Sequence, residues 1–176
     1  LHLAEQLKKE PFTYDQTYLD ELAELFVSYQ DTCAALKQFR QDLQKAKVFV
    51  QGKALQEGEI ITPDGKKESL LSQLKKDRYT VIDFWASWCG PCLAEVPNVK
   101  AVYEQYKDKG FEIYGVSLDD KKDAWVNAIE KHDLPWIHVS SLKGWECPVA
   151  KIYNVTGIPK MYLLDKEGRI VAMDLR

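Results

Sequence analysis

From Tyr79 to Trp85 the chain reads Tyr-Thr-Val-Ile-Asp-Phe-Trp, apolar at nearly every position rather than at every second one. A strand with one wet face alternates. A continuous run of this length predicts a strand covered on both faces, as in a sheet flanked by helices. The segments that follow agree. Residues 90–109 have helical periodicity with Pro97 as an expected kink, Phe111 to Leu118 reads as a second buried strand, and Asp123 to His132 as a helix. Trp136 to Ser140 is a short strand and Pro148 to Tyr153 about two turns of helix. Met161 to Asp165 and Ile170 to Met173 flank the turn Lys166-Glu167-Gly168 and should form a hairpin. The order β-α-β-α-β-α-β-β predicts an α/β fold, a mixed central sheet with helices on both faces.

Upstream the pattern differs. Leu19, Leu22, Phe26, Tyr29, Cys33, Leu36, Phe39 and Leu43 recur at helical spacing, and neither Gly nor Pro occurs over residues 12–51. Thr13 or Asp15 could cap this segment after Pro11. One long helix and two shorter ones fit equally. The apolar stripe needs a covering surface, so the segment is expected to dock rather than dangle. Composition shifts at Gly52, which divides the chain into a helical extension, 1–51, and an α/β domain, 52–176. In the latter, Ile60-Ile61-Thr62 reads as a strand entering the turn Pro63-Asp64-Gly65-Lys66, and Ser69 to Lys76 as a short helix.

Composition narrows the function classes. Of 176 residues 45% are hydrophobic, enough for a sizeable core, and a net charge of −3 gives no basic face, so nucleic acid is not an expected partner. No apolar run approaches the roughly 18 residues of a membrane span. The sequence starts at Leu1 without a methionine, which leaves room for a targeting segment or membrane anchor upstream. The four cysteines, Cys33, Cys89, Cys92 and Cys147, are too few for a disulfide scaffold.

Two of them form Trp88-Cys89-Gly90-Pro91-Cys92, between a buried strand and a helix. At a helix N-terminus, unpaired N–H groups and the helix dipole favour an anion, and a thiol pKa can fall from about 8.5 to roughly 3.5–7.5. Cys89 is therefore the expected nucleophile. Cys92, one turn on, is placed to resolve a mixed disulfide and is expected to be the more shielded thiol. Pro91 needs no N–H partner in the first turn, and Gly90 leaves the approach to Cys89 open. A zinc knuckle would need two more ligands, and Cys33, Cys147, His2, His132 and His138 show no paired spacing.

The stretch Val81-Ile82-Asp83-Phe84-Trp85-Ala86-Ser87-Trp88-Cys89-Gly90-Pro91-Cys92 resembles the active-site segment of thioredoxin, and Gly157-Ile158-Pro159 before a hairpin resembles that fold's cis-proline loop. Cys92-Leu93-Ala94-Glu95-Val96-Pro97, with the turns at 62–66 and 165–169, is similar to the TlpA/ResA-type branch of thiol–disulfide oxidoreductases. The resemblance covers about residues 52–176 and implies a thioredoxin fold. Residues 1–51 resemble only loosely the helical extensions found in some members.

The resemblance also implies roles. Asp83 matches the buried acid that accepts the Cys92 proton, and desolvation should raise its pKa. Thioredoxin has a lysine on the adjacent strand; here that strand reads Ile113-Tyr114-Gly115-Val116-Ser117, and Lys160 is the other candidate, although a solvent-facing lysine is the favoured reading. Glu95 matches a family glutamate near the dithiol, but an acid early in a helix is also explained by the dipole. Ile158 beside cis Pro159 implies backbone pairing with an extended substrate, and Trp88 a flat contact surface. Trp85, Cys33 and Cys147 read as packing, and no role is assigned to His132 or His138. The implied activity is dithiol–disulfide exchange, with Gly-Pro between the cysteines resembling the reducing members. It needs no cofactor, but it does need protein disulfide substrates and a separate thiol electron donor. The branch implies the periplasm or cell envelope of a bacterium. Two rivals remain: a peroxiredoxin-like thiol peroxidase, for which Ser87 stands where a threonine is expected, and a non-enzymatic binding module.

Overall fold

A computed structural model describes residues 59–70 and 78–173. The expected helical extension over 1–51, with Cys33, lies outside them. Seven strands form one sheet: β1 (Glu59–Ile61), β2 (Lys67–Ser69), β3 (Tyr79–Trp85), β4 (Phe111–Ser117), β5 (Ile137–Ser140), β6 (Lys160–Leu164) and β7 (Ile170–Met173), in the order β2-β1-β5-β4-β3-β6-β7. The helices are α1 (Gly90–Tyr106), α2 (Lys122–Lys131) and α3 (Pro148–Ile152). The mixed sheet with helices is the thioredoxin fold expected from the strand–helix order.

β3 runs parallel to β4 and antiparallel to β6, so both of its edges are paired. Residues 80–85 are all buried, which is what the apolar run required. Its side chains alternate between faces. Val81 shares a groove with Ile113, Met161 and the α1 residues Glu95, Val99 and Val102, which assigns Val81, Asp83 and Trp85 to the α1 face. On the other face Phe84 meets Tyr153, just after α3, at 6.3 Å between ring centroids and Tyr162 at 6.0 Å.

Two local expectations change. The short helix expected from Ser69 starts one residue later: Ser69 ends β2, paired with Glu59, and Leu70 is helical, with residues 71–77 outside the described part. The helix expected over 90–109 ends at Tyr106 and continues as a 3-10 turn, Lys107–Lys109, with Gly110 left-handed at φ +80° before β4. Pro97 sits inside α1. The β6–β7 hairpin closes as expected: Asp165 accepts from the Glu167 and Arg169 amides at 3.0 and 2.8 Å and pairs with the Arg169 guanidinium at 2.8 Å.

Candidate active site

Cys89 and Cys92 are joined by a disulfide, with their Cα atoms 5.2 Å apart. The polypeptide leaves β3 at Trp85, makes a short turn and enters α1 at Gly90, with Cys89 as the N-cap residue. Its Sγ accepts from the Cys92 amide at 3.2 Å. This is the N-cap arrangement with sulfur in place of oxygen: an orphan N–H of the first turn points at the atom that would carry the thiolate charge. In the bridged state Cys89 is 4% and Cys92 7% exposed, so the expected contrast between an open and a shielded cysteine does not exist in this form. Both bridged cysteines are buried, while Gly90, Pro91 and Trp88 around them are exposed.

Asp83 is 7% exposed, and its Oδ1 has no hydrogen-bond partner. Burial alone pushes its carboxyl up to about 7. Its lateral neighbours are Gly115 on β4 and Met161 on β6. Lys160 pairs with Phe84, on the opposite face, and its Nζ lies 5.6 Å from the centre of the Tyr162 ring. The candidate lysine is therefore directed away from the acid, half-buried at the start of β6. Glu95 is the sixth residue of α1, beyond the first turn, so the dipole explanation loses its basis; it accepts from the Asn98 side-chain amide at 3.0 Å. The Ile158–Pro159 bond is cis, and both residues are half-buried just before β6. Trp85 and Cys147 are buried, as expected of packing residues.

Two features escaped the sequence. The first is Asp119, buried just beyond β4. Its carboxylate accepts from the Ser87 amide at 2.9 Å, the Ser87 hydroxyl at 2.5 Å and the Ser117 hydroxyl at 2.7 Å. Ser87 lies in the turn carrying the bridge, so Asp119 ties that turn to the end of β4. The pair Ser117-x-Asp119 after a buried strand was its only sequence signal. Asp119→Ala would orphan three donors, and a stability loss of about 3 kcal/mol is expected in urea denaturation at neutral pH.

The second feature is a row across the sheet. Asp83, Gly115 and His138 are register neighbours on β3, β4 and β5. A Cβ at Gly115 would come within 2.7 Å of His138 Nδ1 and 2.9 Å of Trp85 Nε1, so only glycine fits between them. His138 packs edge-on to Trp85 and beside Trp136, and neither of its ring nitrogens makes a well-formed hydrogen bond. Burial pushes this imidazole down to about 4, offset only in part by the Leu134 backbone. At neutral pH the row holds an uncharged imidazole beside an acid close to its midpoint.

A thiol pair at the N-cap of a helix, a strand-borne buried acid and a cis-proline loop on one mixed sheet define the thioredoxin-like class. The thioredoxin-like family model matches residues 77–170, and the chain belongs to that family. Within it the chain is of the TlpA/ResA type. It is 34% identical over 108 residues to the thiol-disulfide oxidoreductase ResA of Bacillus thuringiensis, covering 61% of this chain and 60% of that protein. It is 31% identical over 134 residues to the thioredoxin-like protein YneN of Bacillus subtilis, covering 74% and 75%. The thioredoxin domain of a thiol-disulfide oxidoreductase from Bacteroides vulgatus superposes with a TM-score of 0.65 at 36% identity, covering 72% of this chain and 89% of that one. The chain thus spans about three fifths of the ResA relative's length.

Proposed function

We propose that the chain is a thiol–disulfide oxidoreductase that reduces protein disulfides through Cys89 and Cys92. The observation that carries this reading is the Cys89–Cys92 bridge at the N-terminus of α1, with Asp83 buried on the sheet face that α1 covers.

In the reduced protein the Cys89 thiolate attacks one sulfur of a substrate disulfide. A mixed disulfide forms and the first substrate sulfur leaves as a thiolate. Asp83 takes the Cys92 proton, directly or through water, and Cys92 attacks Cys89 Sγ. The second substrate sulfur leaves, and the Cys89–Cys92 bridge closes. Two electrons have passed from the dithiol to the substrate, and a separate thiol donor must return them. In this reading Ile158 and Pro159 align an extended substrate segment, and Trp88, Gly90 and Pro91 form the surface it meets. Glu95, lining the groove under α1, modulates the site.

The TlpA/ResA-type relationship supports protein disulfides as the substrate class and a bacterial periplasm or cell envelope as the location. Among the described residues no helix is long and apolar enough to cross a membrane. Residues 1–51 are proposed as a helical extension preceding the catalytic domain.

The direction of transfer is tested by equilibrating the protein in glutathione and dithiothreitol buffers. A potential near that of thioredoxin, about −270 mV, is expected, and a value near the −120 mV of a strong oxidant would overturn the reductase reading.

A further inference from the structure

Of the chain's five tryptophans, Trp85, Trp125 and Trp136 are buried, whereas Trp88 is 54% and Trp145 45% exposed. The two exposed rings meet each other, with centroids 6.2 Å apart and planes inclined at 52°. Inclined rings at this separation form an open V and leave ring faces uncovered. Trp88 directly precedes Cys89, so one wall of the V belongs to the redox turn. The other wall comes from the connection between β5 and α3.

That connection is built to hold Trp145 where it is. Leu142 has φ +54° and Gly144 φ +53°. The left-handed region costs a leucine about 1–3 kcal/mol and persists only where the surroundings enforce it. Here the Ser140 hydroxyl enforces it, accepting from the Leu142 amide and donating to the Ser117 carbonyl, both at 3.0 Å. The 3-10 turn Gly144–Glu146 is closed by Glu146 N–H to the Lys143 carbonyl at 2.9 Å and Cys147 N–H to the Gly144 carbonyl at 3.1 Å. Cys147, fully buried, plugs the end of the turn into the core. This strained, pinned segment holds a half-exposed tryptophan against a second exposed one, although burying either ring would stabilise the fold more.

We infer that Trp145, together with Trp88, is a specificity-determining residue that receives an apolar or aromatic side chain flanking the attacked cysteine of a polypeptide disulfide. The inference rests on the oxidoreductase reading above and names the substrate class within it. The occupant follows from continuity with the bridge: a chain whose cysteine reaches Cys89 passes Trp88, and the V opens beside it. An apolar side chain there covers both indole faces, while a small polar one leaves them wet.

The test uses the full chain in its reduced form and two synthetic peptide disulfides, identical except for Phe or Ser next to the cysteine, together with hydroxyethyl disulfide. The wild type is expected to favour the Phe peptide in the second-order rate constant for its single-turnover reduction. Trp145→Ala should shrink that preference by about 10- to 30-fold, the scale on which a buried interface tryptophan contributes. Trp145→Phe, which keeps an aromatic wall, should restore most of it. An unchanged Phe-to-Ser ratio in Trp145→Ala, or failure of Trp145→Phe to restore it, would overturn the inference. So would sedimentation showing that wild type is a dimer which Trp145→Ala dissociates, since the V would then be a contact between copies. Absence of thiol release from all three disulfides by the wild type is a different failure: it removes the oxidoreductase reading itself.

Discussion

Cys89→Ser is expected to lower turnover of a protein disulfide by more than about 10⁴-fold, because no other group can take over a removed nucleophile. The helix N-terminus that stabilises a thiolate cannot ionise a hydroxyl at neutral pH, so the N-cap position does not rescue serine. Cys92→Ser should behave differently. The first attack remains, the second is lost, and a mixed disulfide with substrate accumulates that survives denaturing electrophoresis without reductant. The pair of variants assigns the roles, which the exposures in the bridged form do not separate. Trapping by Cys89→Ser, with none by Cys92→Ser, would exchange the nucleophile and the resolving thiol.

The second large effect concerns Asp83. A carboxyl pushed up to about 7 by burial is near its midpoint at neutral pH and can accept the Cys92 proton as that sulfur attacks. Asp83→Asn is close in shape but cannot accept a proton, so resolution of the mixed disulfide should slow by roughly 10²-fold near pH 7, while the first attack by Cys89 changes far less. Stopped-flow rates of the two steps across neutral pH measure the split; equal slowing of both would make Asp83 structural. Stability should move the opposite way. The folded acid titrates near 7 and an unfolded one near 3.8. The folded state thus holds its proton more tightly, and this contribution is fully present below the unfolded value. It is lost as pH rises between the two, by as much as about 4 kcal/mol once pH exceeds the folded value. Asp83→Asn removes that loss. In urea denaturation of the oxidised protein the variant should gain on wild type at about pH 8 and show little gain at about pH 4. A gain that did not depend on pH would detach the effect from ionisation.

Much of this arrangement is legible in the sequence, and for identifiable reasons. The run Tyr79–Trp85 announces a central strand because its apolar residues ignore the two-residue period. The C-x-x-C gains meaning from what stands on either side of it. The hairpin at 165–169 is written in local turn chemistry. What stays hidden depends on register. That Lys160 faces away from Asp83 follows from its pairing with Phe84 rather than with Asp83, a one-residue matter invisible before the strands are aligned. β2, Lys-Glu-Ser, carries no apolar signal because it is an edge strand held by backbone pairing to β1. Asp119 looks like one acid among several until the Ser87 turn folds over it. His138, without ligand spacing, becomes notable only when it is seen, with Trp85, to fill the space over Gly115 in the row that begins at Asp83.

The double pairing of β3 has a mechanical consequence. A catalyst of exchange must open and remake a covalent link in every cycle, and its two sulfur atoms must find each other again without a search. Here the link hangs from the exit of the sheet's most firmly clamped strand, held by seven register pairs on one side and five on the other, and is tethered by Asp119 to the end of the next. When the bridge opens, the clamp remains. The memory of where Cys89 and Cys92 belong is kept in the sheet rather than in the bond between them, so the bond can be spent and renewed while its frame stands still.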